Sequence, residues 1–219
     1  TLKPFAFNQS IEIPEKELSP IVSVEIKNNP HLCNRIMGVV MEVKIETSPD
    51  FIKHRLEASG IRSLNNLIDI TNYVMMETGH PTHVFDYDRL NSQKLIIRES
   101  QPGDKIKTLD NKIFTLPGGD IVMEDDSGRI VDLLGIMGLE NSVVTSSTKR
   151  ILYFLDNNDP VRMRKTSMGI GLRTEAVTRN EKKIDTELAS LALYRGIELY
   201  QKFAQGKSLS QIIDIYPNK

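Results

Sequence analysis

Between Thr71 and Asp88 the chain gathers hydroxyl, amide, imidazole and carboxylate groups, in Thr71, Asn72, His80, Thr82, His83, Asp86 and Asp88. Two chemistries are open to such a set. His80 and His83 with Asp86 or Asp88 could ligate a metal ion, which needs three or four donors converging at fixed distances. The donors lie beside Pro81 with no second histidine cluster to complete them, so no metal ligand is assigned. The other chemistry is a polar pocket over an apolar floor. A plainer reading stands beside it, with Thr71 and Asn72 solvated and His83 a satisfied, half-buried histidine.

Other reactive groups are harder to assemble. Gly118-Gly119 and Gly169-Ile170-Gly171 lack the lysine and hydroxyl that follow a phosphate-cradling loop, and read as turns. No nucleophile elbow is present, and Cys33 has only His31 nearby in sequence. Aspartates and glutamates are scattered, and nothing singles out an acid/base pair. The residues alone therefore give a polar pocket with no named reaction, and no catalytic group is assigned.

The pocket residues need elements to hold them. Leu67, Ile68, Val74 and Met75 recur at helical spacing, and Gly79 can take the left-handed turn that ends a helix. The spacing predicts a helix from Asn65, then a loop carrying both histidines. Ser48-Pro49 reads as a helix start with serine as cap, and Gly60 as its stop. Strands are expected over 21–27, 35–45, 94–98 and 150–155, with hairpins turning at Asp110-Asn111 and at 125–128. Short strands at even spacing suggest a barrel-like or sandwich-like β core. Asp159-Pro160 opens another helix, 173–179 reads as a loop, and a helix capped by Asp185 or Thr186 runs to Phe203 before a closing strand over 209–215. Residues 1–20 hold three of the ten prolines and read as an extended lead-in.

The 219 residues suffice for a sizeable core, and 39% hydrophobic with 26% charged residues is ordinary for a globular protein. A formal net charge of -1 argues against sequence-independent nucleic-acid binding through a strongly basic surface. No apolar run is long enough to span a bilayer, and no secretory leader is evident. The single cysteine suits a reducing cytoplasm. The abrupt start at Thr1 suggests a piece of something larger.

An ordered succession of motifs adds a second source. Ser48-Pro49, Arg55-Leu56, Gly60-Ile61-Arg62, Asn65-Asn66, Asp69, Thr71-Asn72-Tyr73-Val74, Glu77, Gly79-His80-Pro81, and His83 with Phe85-Asp86 come first. Thr108-Leu109-Asp110, Gly135-Ile136-Met137-Gly138, Asp159-Pro160, Arg164-Lys165-Thr166, Gly171-Leu172-Arg173-Thr174-Glu175-Ala176, Arg179 and Glu181-Lys182 follow. In order and spacing, from about Arg35 to Tyr200, the chain resembles the central B3/B4 editing domain of the bacterial phenylalanyl-tRNA synthetase β subunit.

The resemblance implies a single interlocked α+β domain, a β-barrel-like core with flanking helices. Its organisation would be a lead-in and first strand over 1–34, an editing-type domain over 35–205, and a closing strand and exit segment over 206–219. It implies binding of the 3′ end of tRNA(Phe) and hydrolysis of tyrosyl-tRNA(Phe) by a positioned water. Thr71, Asn72, His83, Gly138, Phe154, Thr174 and Ala176 would line the editing pocket, with Gly138 leaving room for the amino acid. The fragment would carry no cofactor of its own. ATP and Mg would serve the parent (αβ)2 enzyme elsewhere, with the α subunit as partner, in the cytoplasm and away from membranes.

Departures from the family pattern matter. Phe154 stands where a glutamate is usual, Leu139 replaces a glycine, and Val177 a serine. The usual aromatic-glutamate-arginine-glycine run is Asn180-Glu181-Lys182-Lys183. Loss of the glutamate removes the most direct acceptor for a tyrosine hydroxyl, and an unpaired buried hydroxyl costs roughly 1–3 kcal/mol. A non-catalytic, tRNA-contacting module with a decayed pocket is therefore the alternative. Asp156 could replace the glutamate if the strand bulges or the match slips by two residues.

Overall fold

The computed structural model describes residues 22–90 and 92–217, together with Ile11 and Ile13. The extended lead-in expected over 1–20 otherwise lies outside the described residues. In chain order the elements are β1 (Ser23–Ile26), β2 (Cys33–Glu42), α1 (Asp50–Ala58), α2 (Asn66–Thr78), β3 (His83–Asp86), a 3-10 turn, β4 (Lys94–Glu99), β5 (Lys105–Lys107) and β6 (Ile113–Thr115). Then come β7 (Ile121–Asp125), β8 (Ile130–Leu133), β9 (Met137–Gly138), β10 (Arg150–Asn158), α3 (Pro160–Ile170), α4 (Glu175–Asn180), α5 (Leu188–Phe203), β11 (Lys207–Ser208) and β12 (Ile213–Ile215).

The longest ladder sets the frame. β2 and β10 pair antiparallel from Glu42 opposite Arg150 to Ile36 opposite Asp156. β3 lines the other side of β10, with His83 opposite Phe154, while β11 and β12 pair in succession along the free edge of β2. Side chains alternate across this sheet. Ile36, Val40, Phe85, Leu152 and Phe154 face one buried cluster. Met37, Val39, Met41, Val84, Ile151, Tyr153 and Leu155 face another, built with α1, α2 and α5. Burial on both faces explains why Ile36-Met37-Gly38-Val39-Val40-Met41 is an uninterrupted apolar run rather than an alternating one.

A second five-stranded sheet, ordered β1-β4-β7-β8-β9, packs its apolar side into the first cluster. β5 and β6 form the hairpin expected at Asp110-Asn111, with Asn111 at φ 64°. The α+β class holds, but the barrel-like core does not. Among the described residues β1 pairs only with β4, and β9 has two residues. Past β9 only an isolated bridge joins Leu139 to Thr108. Among the described residues no ladder closes either sheet.

Local expectations are met unevenly. Asn65 caps α2 by accepting from the Leu67 and Ile68 amides, and Gly79 ends it at φ 85°. The chain after His80-Pro81 is a strand rather than a loop, because β10 offers it an edge. Helix α1 starts at Asp50 without a side-chain cap. Ser48 instead donates to the buried Asp69 carboxylate at 2.5 Å, which also accepts from Ser63 Oγ and the Leu64 amide. Residues expected as a loop at 173–179 contain α4, capped by Thr174. The closing strand is split, and Ser210 Oγ accepts from the Val40 amide between the pieces.

Candidate functional site

A cavity of about 310 Å³ opens where α2, the β3 end of the first sheet, the β8–β9 edge of the second and the start of α4 meet. Its volume is in the range of small-molecule sites. Ile68, Thr71, Asn72 and Met75 form one stripe of α2 along its wall, at spacings of three and four residues. Pro81, Thr82, His83 and Val84 continue that wall. Asp132, Gly135, Ile136, Met137 and Gly138 face them from the second sheet, Asp156 joins from β10, and Thr174, Glu175 and Ala176 close the far side.

Six of the seven residues expected at a pocket therefore lie around one cavity: Thr71, Asn72, His83, Gly138, Thr174 and Ala176. Phe154 is not among the lining residues. Its fully buried ring packs against Phe85 at 5.8 Å between centroids, over Gly38 in the first cluster. Asp156, two residues on and on the same face of the strand, lines the cavity instead. β10 runs on regularly to Asn157, and its register shifts only between Asn157 and Asn158. No slip of the strand is needed to bring Asp156 there.

The polar groups differ in how free they are. Thr71 Oγ1 donates to the Ile68 carbonyl at 2.6 Å, and Thr82 Oγ1 donates to the Thr71 carbonyl at 3.1 Å. Thr174 Oγ1 donates to the Ile136 carbonyl at 2.8 Å and caps α4, so its hydroxyl is occupied in holding the wall. The His83 ring stacks edge-on against Phe85 at 4.4 Å and keeps partial exposure toward the cavity. Desolvation lowers its pKa to about 4, so the ring is neutral at pH 7. Gly138 makes that placement possible, since a Cβ there would lie 2.7 Å from His83 Cε1.

Asp132 and Asp156 are both buried. Burial pushes the Asp156 carboxyl up to about 6. The Asp132 carboxyl rises well above its ordinary range, by burial and by the neighbouring Asp156 charge. Sequence reading passed over this pair because the two residues are far apart in the chain and meet only through the two sheets. A polar residue at the buried phase of an apolar strand, as in Ile130-Val131-Asp132-Leu133, was the available signal.

The metal candidates do not converge. His80 is fully buried, with Nδ1 2.7 Å from the Pro81 carbonyl. Asp86 accepts from the Asp88 and Arg89 amides and from Thr148 Oγ1, while Asp88 pairs with Arg150.

Comparison with known proteins places this architecture. The B3/4 domain model matches residues 32–205, and the chain belongs to that family. Its relatives are parts of an aminoacyl-tRNA synthetase. The chain is 42% identical over 199 residues to the phenylalanine–tRNA ligase β subunit of Dehalococcoides mccartyi (strain CBDB1), covering 90% of this chain and 24% of the relative. With the β subunit of Carboxydothermus hydrogenoformans it shares 39% identity over 209 residues, 95% of this chain and 26% of the relative. The chain thus spans about a quarter of the length of these curated relatives. Among solved structures, an N-terminal fragment of the phenylalanyl-tRNA synthetase β subunit from Pyrococcus horikoshii shares the fold, with TM-score 0.57 at 12% identity. That match covers 94% of this chain and 56% of the other.

Proposed function

We propose that this chain is the B3/4 portion of a phenylalanine–tRNA ligase β subunit, and that its cavity receives the aminoacylated 3′ end of tRNA(Phe) and hydrolyses tyrosyl-tRNA(Phe). The observation that carries the reading is the convergence of Thr71, Asn72, His83, Gly138, Thr174 and Ala176 on one cavity. The parent would work in the cytoplasm with an α subunit and would carry its ATP-dependent chemistry in other modules.

The chemistry follows from which groups are free. The ester is cleaved when water adds to its carbonyl carbon, the C–O bond to the ribose breaks, and the ribose oxygen takes up a proton. No side chain is placed as a nucleophile, so the protein's part is to hold ester and water in line. A neutral His83 ring can donate from one nitrogen and accept at the other, orienting a water or a ribose hydroxyl. The Asn72 amide can hold the carbonyl as charge develops on its oxygen. With its low pKa His83 is a weak base, so it orients rather than abstracts, and the rate should not follow an imidazole titration near pH 6–7.

Deacylation of tyrosyl-tRNA(Phe) by the ligase carrying this chain, beside His83→Ala and Asn72→Ala forms, tests the reading. Hydrolysis well above the spontaneous rate, reduced at least about tenfold in either variant, is expected. Hydrolysis no faster than the spontaneous rate would leave the alternative, a non-catalytic tRNA-contacting module. That alternative draws on the burial of Phe154 in the core, where the family pattern has glutamate.

A further inference from the structure

The hydrolysis proposed above assigns no step to the two buried carboxyls of the cavity. Asp132 projects from β8, where it pairs with Gly138, and Asp156 from the face of β10 that carries Phe154. They are 4% and 6% exposed, and both line the cavity. Asp156 accepts from Asn158 Nδ2, and Asn158 Oδ1 in turn takes the Cys33 thiol at 3.0 Å. Asp132 Oδ1 has no hydrogen-bond partner among the described residues. Asn180 donates to the Gly135 carbonyl beside this group, and its own Oδ1 is likewise unpartnered. The unpartnered atoms of this group are therefore oxygens.

No cation among the described residues lining the cavity balances them. No lysine or arginine is among the described residues lining the cavity. The titratable groups facing the pair are His83 from β3, Glu175 from the start of α4 and the buried Cys33 thiol from β2. None is a cation at pH 7: the imidazole and thiol are neutral, and Glu175 is taken by Arg179. Leaving buried carboxyls in this state is costly, and a ligand that satisfies them recovers the loss. The remaining walls, Ile68, Met75, Ile136, Met137, Val143 and Val144, are apolar.

We propose that the Asp132–Asp156 pair is a receptor for an ammonium group carried on an apolar stem, which enters the cavity and donates to both carboxyls. An ammonium has three donors, enough to reach Asp132 Oδ1 and the Asp156 oxygens together, whereas a hydroxyl has one. Charge-assisted bonds of this kind are roughly twice as strong as neutral ones. The apolar walls take the stem. A free amine and the amino-acid part of an aminoacyl ester bring the same group, so both belong in the test.

The discriminating pair of probes is phenethylamine and 2-phenylethanol, which differ only in ammonium against hydroxyl. Phenylalanine methyl ester serves as the esterified source. Each is titrated into the chain at pH 7 and followed through the NMR signals of His83 and Gly138. Phenethylamine should give saturable shifts and bind at least about tenfold more tightly than 2-phenylethanol, a difference of about 1.4 kcal/mol. Asp132→Asn and Asp156→Asn, close in shape and able to keep the fold, should each reduce that preference, and the double variant should abolish it. Calorimetry in buffers of different ionisation enthalpy should show proton release on amine binding. Equal binding of the two probes, binding of neither, or an amine preference that survives in the double variant would overturn the proposal. Whether the ester binds as well as the free amine decides which source the site serves. These readouts need no hydrolysis, so they stand apart from the outcome of the deacylation test.

Discussion

Replacing Asp156 with asparagine should stabilise the protein at neutral pH, and by an amount that can be worked out. The carboxyl is buried, and its pKa rises from the ordinary 3.8 to about 6 in the folded chain. Between those values the folded state binds the proton more tightly than the unfolded state. Stability is therefore full below about pH 4 and falls as pH rises through about 6. At about 1.4 kcal/mol per tenfold difference in proton affinity, the loss by pH 7 is about 3 kcal/mol. Asparagine keeps an oxygen to accept from Asn158 Nδ2 and carries no charge to desolvate. Urea denaturation of the native and Asp156→Asn chains, compared from about pH 4 to 7, reports this contribution together with the relief of Asp132, which the Asp156 charge raises, because the carboxylates remote from Asp156 cancel in the difference. The two stabilities should be close at pH 4 and separate by up to about 3 kcal/mol by pH 7, with the variant the more stable. A difference that does not change with pH, or a variant less stable at pH 7, would refute the assignment of a desolvated carboxyl at this position.

Three further outcomes are expected. Gly138→Val should leave the thermal midpoint within a few degrees of native but occupy the space beside His83, lowering any hydrolysis or ligand binding at the cavity at least about tenfold; unchanged activity would mean that the ring moves aside at no cost. Phe154→Glu should not create a pocket carboxylate but place one in the core against Phe85 and Gly38, destabilising the chain by about 3–5 kcal/mol in urea unfolding, the cost of losing a buried aromatic. Lys183 sits at φ 59°, where a side chain is strained, so Lys183→Gly should gain about 1 kcal/mol of stability by the same measurement, and a loss would show that the lysine makes up for its backbone.

Much of the scaffold was legible where punctuation and period agreed. Asn65 and Gly79 bound α2 in sequence as they do in space, and Asp159-Pro160 opens α3 as its residue types require. What escaped was set by tertiary neighbours. Residues 83–86 are a strand because β10 supplies a ladder, which no local signal encodes. Ser48 has the chemistry of a cap, yet Pro49 stands at the cap position of α1 and the Ser48 hydroxyl donates to the Asp69 carboxylate instead. The strand expected over 150–155 runs on to Asn158, since Asn157 and Asn158 find partners in Asn34, Ile184 and Cys33. At the site, six of the seven residues taken from the family pattern line one cavity, and Phe154 does not. Phe154 and Asp156 share a face, and only packing decides which of them meets the cavity. The Lys183 position reads as a departure from a family glycine, and its positive φ gives the physical reason a glycine is usual there.

The most direct test of the account is the ratio of single-turnover hydrolysis rates for tyrosyl-tRNA(Phe) and phenylalanyl-tRNA(Phe) on the ligase that carries this chain, with and without the His83 imidazole. A cavity that edits predicts faster hydrolysis of the tyrosyl ester, with the preference lost in His83→Ala. Equal, spontaneous-like rates for both esters, unchanged in His83→Ala, would contradict it.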